Sequence, residues 1–496
     1  MRLDEPLDSV GESEILPDPE GLLAAVSSLG YSMEDAFADL VDNSIDAGAK
    51  AVRIRILRQN GRLRSVVIAD DGEGMTEAAL DAAMGFGVRS THTGPRLGKY
   101  GLGLKAASFS QCAQLSVMSR RRRGRAAARI WTAEGISRGW RCHRASPRDA
   151  SAYLDLDWLD GTRVQTVVRW DDLVAFRIPA ARSESMIAAL FDATDRHLGL
   201  HLHRFIRSGL KITLDTFDVE AEDSSVPRPV HALDPFAYPG TGARGYPKTF
   251  KVSIPAVGQF AVEAHIWPTG IRPPQLMLGR GQLANRQGLY FYRNGRIIQA
   301  GGWNGVRADG EPHLSLARAR IDLQAKHDQA FGLNVRKAGV NVPEGFADAI
   351  LGATTVGSSF RDYIAAAQRV YRKKQSAPPR PSNFVLGAGV PSKVRGESRR
   401  GLKKPQTEVT FTWAKLPADV FFKLDRDTYR IILNARYRQS VMHGRRGSAA
   451  DAALVKTLLF LRLRDDLGME RIWAERTREL EGLQRLLITA AKAQMP

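Results

Sequence analysis

Ala36-Phe37-Ala38-Asp39-Leu40-Val41-Asp42-Asn43-Ser44-Ile45-Asp46-Ala47 is the stretch on which the reading of this chain turns. At about 100° per residue, a helix over these positions gathers Asp39, Asn43 and Asp46 into a narrow arc. Phe37, Leu40, Val41 and Ile45 spread over the other side. One face packs, and the other presents two carboxylates and an amide. Hard oxygen donors suit a magnesium nucleotide, and a nearby carboxylate can orient an attacking water. Any amphipathic helix with an acidic solvent face carries the same pattern, so the helix alone decides nothing.

The surroundings narrow the choice. A chain of 496 residues is too long for one ordinary core, and roughly two to four domains are expected. Its 43% hydrophobic and 25% charged residues are a soluble, globular balance. No apolar run approaches the ~20 residues of a membrane span, and the acidic start is unlike a secretory signal, so the expected location is cytoplasmic. The two cysteines, Cys112 and Cys142, have no partner at metal-ligand spacing and read as inert thiols. A net charge of +19 points to polyanionic partners, nucleic acid first.

Downstream of the helix, residues 53–57 alternate like a strand, and Asn60-Gly61 is a hairpin turn. A second strand over residues 65–69 runs into Asp70-Asp71-Gly72-Glu73-Gly74-Met75. Gly72 and Gly74 permit a sharp turn and close approach of a ligand. A carboxylate at the strand end can accept from a buried amino group such as that of adenine, and Met75 supplies an adaptable apolar wall. Residues 85–105 then hold six glycines before a helical stretch, an arrangement that aims backbone N–H groups at phosphates, with Lys105 adding a charge. Taken singly, the first of these is an ordinary turn and the second a flexible linker.

All three pieces fall in one order within about 70 residues. Together they resemble the GHKL family of ATPases, which includes gyrase-type subunits, MutL proteins, the heat-shock chaperone of this type, histidine kinases and the MORC proteins. The MORC type is the most similar. Asp39, Leu40, Asn43, Asp46 and Ala47 match the family's helix, Asp70, Gly72, Gly74 and Met75 its turn, and Gly98, Gly101 and Gly103 its lid. The resemblance implies an α+β chain with a Bergerat-type α/β sandwich that binds ATP and Mg²⁺. In it Asn43 carries the metal and Asp70 reads the adenine amine, while the lid amides of Gly101, Leu102, Gly103, Leu104 and Lys105 hold phosphates. Thr162, after Gly161, corresponds to a threonine backing the adenine-reading acid. Asp39 stands where the family has a glutamate base. It is one methylene shorter, a loss of roughly 1.5 Å of reach, so ATP binding with slow hydrolysis is the expectation.

The expected organisation is an N-terminal arm (1–20), the ATPase domain (21–208), a β-rich transducer-like α/β domain (209–345), a helix with a basic, proline-containing linker (346–409) and a helical C-terminal domain (410–496). Strands are expected at residues 153–156 and 161–168, and a helix over 183–206 in which His197 and His201 serve packing. The arginines of residues 120–125 read as a phosphate-gripping hairpin tip or a solvated turn. In the transducer, an Asn294-Gly295 hairpin is expected. Lys337, with Lys326 in reserve, is the basic residue sent to the terminal phosphate.

The function that follows is a MORC-like, ATP-driven dimerisation switch acting on DNA, with a role in defence against foreign DNA implied only by resemblance. The C-terminal domain is a candidate surface for a protein partner. An ATP-dependent protein chaperone and a non-hydrolysing ATP-sensing scaffold are the alternatives. A histidine kinase is disfavoured, since no histidine precedes His92.

Overall fold

The computed structural model describes residues 18–28, 30–86, 103–174, 183–238, 243, 245–255, 257–270, 272–279, 281–332, 339–376, 384–400, 406–426, 428–442, 448, 450–467 and 474–494. Two compact units divide the chain, Met1–Trp267 with Pro274–Gln368, and Pro268–Pro273 with Arg369–Pro496.

In the first unit, α1 (Pro19–Ser27) and α2 (Met33–Asp46) precede β1 (Ala51–Gln59) and β2 (Arg62–Asp70). Positive φ at Asn60 and Gly61 makes the tight turn between those strands, as the residue pair predicts. There follow α3 (Glu77–Met84), α4 (Gly103–Phe109), β3 (Cys112–Ser119), β4 (Ala127–Thr132), α5 (Ala133–Ser137), β5 (His143–Ala145), α6 (Pro147–Leu154) and β6 (Thr166–Leu173). Next come α7 (Ser183–His201), α8 (His203–Arg207), β7 (Lys211–Asp218), β8 (Asp223–Ser224) and β9 (Arg228–Pro229). The sheet order is β5-β4-β3-β6-β2-β1-β7-β8, with β9 also on β7.

Strand alternation gives this sheet two apolar faces. Ile54, Ile56, Val66, Ile68 and Trp170 meet the helices, where Phe37 of α2 stacks on Trp170 with centroids 5.7 Å apart. Val67, Ala69, Met118 and Val167 face the other way and pack with Leu154 and Trp158. Residues 153–156, expected as a strand, instead end α6 and its cap. Ser146 accepts from the Asp149 N–H and Pro147 opens the first turn, which are helix-start signals that outrank the short apolar run.

β7 corrects the expected domain boundary. It lies parallel to β1, Ala51 opposite Lys211 through Arg58 opposite Asp218, and so completes the first sheet rather than starting a second domain. Arg55 donates twice to Asp215, at 2.8 and 2.6 Å, and Asp215 is wholly buried. Asp215→Ala strands a buried guanidinium and is expected to cost about 3–5 kcal/mol, measured by denaturant unfolding.

The same unit continues with β10 (Lys248–Ile254), β11 (Gly258–Ile266), α9 (Pro274–Met277), β12 (Gly288–Arg293), β13 (Arg296–Ala300) and β14 (Ala317–Leu323). After them come α10 (Phe346–Gly352), β15 (Thr354–Thr355), β16 (Ser358–Ser359) and α11 (Phe360–Ser376). These strands order as β13-β12-β14-β11-β10-β15-β16, and the Asn294-Gly295 turn joins β12 to β13 as expected. Phe260, Phe291, Phe331 and Phe346 form an aromatic cluster in this region.

In the second unit, β17 (Phe384–Leu386), α12 (Ser392–Ser398), β18 (Thr407–Ala414), β19 (Phe422–Asp425) and β20 (Arg430–Asn434) make a sheet ordered β17-β18-β20-β19. α13 (Arg438–Met442), α14 (Ala453–Leu467) and α15 (Ala474–Ala493) complete it. The helical C-terminal region is therefore present, but strands occupy residues where the helical pattern was expected to resume. Val409 and Phe411 are buried between half-buried or exposed neighbours, which is a strand's period of two. Leu459, Leu463 and Ile488 of the helices join them in the core.

Candidate nucleotide site

Ser32 caps α2 by accepting from the Asp35 N–H at 3.1 Å, and the helix ends before Gly48, whose φ is +72°. Ala36, Phe37 and Val41 are fully buried and lock the helix to the sheet. That packing fixes its polar face: Asp39 is 2% exposed, Asn43 is exposed and Asp46 is half-buried in the last turn.

Asp39 is held from two sides. The Tyr31 hydroxyl donates to Oδ2 at 2.9 Å, and Nη1 of Arg296 donates to Oδ1 at 3.1 Å. The same Nη1 donates to Asp42. A methyl group on Gly103, the first residue of α4, would stand 3.9 Å from Asp39 Oδ2, so the carboxylate faces the end of the lid segment. Burial alone would pull the Arg296 guanidinium down, but Asp42, Asp39 and Asp35 hold it above its ordinary range.

Asp70 closes β2 and points back at α2. Its carboxylate accepts from Ser44 Oγ at 2.9 Å and from the Gly72 N–H at 2.9 Å. Burial pushes its pKa up to about 6, against those two donors, with Asp71 adding to the rise. Two glycines make the turn around it. A Cβ on Gly72 would lie 2.9 Å from Asp70 Oδ1 and from Ala47 Cβ, and one on Gly74, at φ +68°, would lie 2.0 Å from the Arg120 carbonyl oxygen. Ala47 caps α2 and its carbonyl accepts from the Glu73 N–H at 2.9 Å. Met75 is half-buried against the core, its N–H donated to Ser119 Oγ at 2.9 Å.

Thr162 and the Lys105 side chain are placed otherwise than expected. Thr162 is exposed in the turn before β6, and the residue paired with Asp70 on the neighbouring strand is Thr166, whose hydroxyl bonds Ser119 Oγ at 2.9 Å. Lys105 is 1% exposed and donates to the Ala83 carbonyl at 2.8 Å, in the last turn of α3. There it serves a helix C-terminus, and burial lowers its pKa to about 8. Leu104 packs half-buried against the core. Arg120 is buried and paired with Asp155 at 2.6 Å, while Arg121, Arg122, Arg123 and Arg125 are exposed. Lys326 is exposed, and Gly98, Gly101, Leu102 and Lys337 lie outside the described residues.

Ser44, Thr166, Tyr31 and Arg296 escaped the sequence reading. Ser44 sits next to Asn43 in the helix, the one signal available for it. Beside Arg296 a cavity of about 540 Å³ is lined by Arg196, His197, His201, Arg286 and Ile298. The His197 and His201 rings stack at 4.1 Å, and burial drops their pKa values to about 4 and about 3, so both are neutral at physiological pH. Among the described residues no cluster of three His, Cys, Asp or Glu side chains could hold a metal ion.

The chemistry of these side chains is compatible with an adenine nucleotide. Asp70 is a buried acceptor braced by two donors, and Asn43 offers an exposed oxygen one turn from Asp39. Mg²⁺ keeps few protein ligands beside phosphate and water oxygens, so one amide suffices. Among the described residues no helix is long and apolar enough to cross a membrane.

Residues 31–156 match the family model for histidine kinase-, DNA gyrase B- and HSP90-like ATPases. The DNA mismatch repair protein MutL of Thermus aquaticus is 34% identical over 108 residues, 21% of this chain and 20% of its own length. A MutL of Rhodopseudomonas palustris is 54% identical over 46 residues, 9% of this chain and 7% of its own. The chain thus spans a fifth or less of the length of these curated relatives. The matched span begins at Tyr31 and contains Asp39, Asn43 and the Asp70 turn, so this region of the chain is a domain of the histidine kinase-, DNA gyrase B- and HSP90-like ATPase type.

Proposed function

We propose that this protein is a MORC-like, nucleotide-driven switch that binds Mg²⁺ and ATP, hydrolyses ATP slowly, dimerises when ATP is bound and engages DNA. Asp70, braced by Ser44 and Gly72, would accept from the adenine amine, Asn43 would hold the metal, and Asp39 would orient a water. Bound Mg²⁺-ATP would supply the phosphoanhydride and a charge-neutralising cation.

The observation that carries the switch is the junction between the two sheets of the first unit. The β12–β13 hairpin brings Arg296 onto α2, and Arg204 of α8 pairs with Asp322 of β14 at 2.5 Å. Nucleotide at α2 and the arrangement of the second sheet are then linked through shared contacts. The DNA part rests on the +19 charge and on similarity to proteins named for mismatch repair.

Sizing with and without a non-hydrolysable ATP analogue, followed by DNA titration, tests the reading. The analogue is expected to move the protein to a dimer. DNA affinity is expected to drop at least about 1000-fold between about 50 and 200 mM salt if six or more phosphates are contacted. An unchanged monomer peak overturns the switch. Suppression of client aggregation with salt-insensitive, negligible DNA binding transfers the chain to the chaperone class.

A further inference from the structure

We propose that Arg296 is a positioning residue for ATP hydrolysis, borne on the second sheet and holding the Asp39 carboxylate in place. The proposal rests on Asp39 being the base of the reaction proposed above. Asp39 and Arg296 are 257 residues apart in sequence and meet because the Arg296 side chain reaches α2 from the hairpin of the second sheet. Both are almost fully buried, at 2% and 4% exposure, and Asp42 is wholly so.

Charge decides what the arginine does there. Asp39 and Asp42 stand three residues apart on one helix face, and two buried carboxylates repel unless a cation lies between them. Nη1 of Arg296 is that cation's contact with both. It holds the Asp39 carboxylate by one oxygen. Oδ1 takes the arginine, whereas Oδ2 takes the Tyr31 hydroxyl and faces Gly103.

Two donors from different parts of the fold thus set the carboxylate's direction. Tyr31 belongs to the segment before α2, while Arg296 begins β13, directly after the Asn294-Gly295 turn. A displacement of that hairpin moves or releases the base. Because aspartate has only one methylene between backbone and carboxylate, its position has little slack for α2 to correct alone. The second sheet is in this way a component of the hydrolytic geometry as well as a follower of nucleotide state.

The experiment is a double-mutant cycle in the full-length protein, with turnover and ATP-analogue affinity measured separately. Arg296→Ala is expected to lower kcat about 10- to 100-fold, in the range set by small displacements of a reacting group. Analogue affinity should stay within about threefold, and Arg296→Lys should recover part of kcat by restoring the charge. In an Asp39→Ala background, Arg296→Ala should lower turnover no further, since the group it places is gone. Loss of kcat that persists in that background, loss of affinity in step with kcat, or a rise in kcat on removing the arginine each overturns the proposal. If Arg296→Ala does not fold, Arg296→Lys and Arg296→Gln carry the same cycle. Should Asp39→Ala alone leave turnover intact, the assignment of the base has failed, which is a separate outcome from failure of the arginine's role.

Discussion

Asp39→Ala is expected to bind an ATP analogue within about twofold of the native protein and to lose about 100- to 10,000-fold in turnover, the span of a positioned general base. The separation follows from where the side chain stands. Asp39 faces Gly103, the first residue of α4, whereas Asp70 is braced by Ser44, more than one turn farther along α2, and by Gly72. Removing the carboxylate at position 39 therefore leaves the contacts of Asp70 with Ser44 and Gly72 untouched. Calorimetry reads affinity and single-turnover phosphate release reads chemistry. Asp39→Glu sends the carboxylate roughly 1.5 Å farther while leaving a charge for Arg296. Measurable release from the glutamate variant with none from the native chain would identify the aspartate as the feature that makes this protein an ATP sensor. Equal release from native and alanine chains would place the base elsewhere.

Asp70→Asn is expected to weaken ATP binding about 10- to 100-fold, the range for a hydrogen bond to a charged acceptor. It also removes a pH dependence that the native protein should show. The folded-state pKa of Asp70 is about 6, against an ordinary 3.8, because burial penalises the charged form. Between these values the folded chain holds a proton that the unfolded chain has released. The group's contribution to stability is therefore complete below about pH 4 and is lost as pH rises through about 6, a change of about 3 kcal/mol. On the role proposed for Asp70, nucleotide affinity is expected to run the other way, since an amino donor is accepted best by the carboxylate form. It should rise from pH 5 to 7, with a proton released on binding near pH 6. Titrations in buffers of different ionisation enthalpy measure that proton, and the asparagine variant should release none. A flat affinity profile in the native protein would remove Asp70 from the nucleotide.

The parts of the site visible in sequence are those specified by local pattern. α2 shows itself by period and cap, the β1–β2 hairpin by Asn60-Gly61, and the Asp70 turn by glycines that the packing requires. Asp70 and Asp71 are indistinguishable by composition, yet only Asp70 turns back to α2, where it accepts from Ser44 Oγ. Asp71 accepts from the N–H groups of Lys50 and Ala51 at 2.7 and 2.8 Å and ties the turn to the start of β1. Thr162 and Thr166 differ by one turn's worth of chain, and strand register, which local residues do not announce, puts the second beside Asp70. Arg296 had no local signal at all. Its role is created by a contact across 257 residues, and a basic residue after an Asn-Gly turn otherwise reads as a solvated hairpin end. The strand at residues 407–414 was legible by its alternation but was outweighed by the longer helical pattern behind it.

The parallel pairing of β7 with β1 bears on how this protein can be cut. The span matched by the family model stops at residue 156, and an excision guided by sequence would end near 208, just short of β7. Such a fragment would bare the hydrogen-bonding edge of β1 and strip Asp215 from the guanidinium of Arg55, joining an open strand to an orphaned charge. A fragment reaching Val230, past the short strands that flank β7, keeps that border sealed. Lack of activity in a shorter piece would then report on the cut rather than on the chemistry of the intact chain.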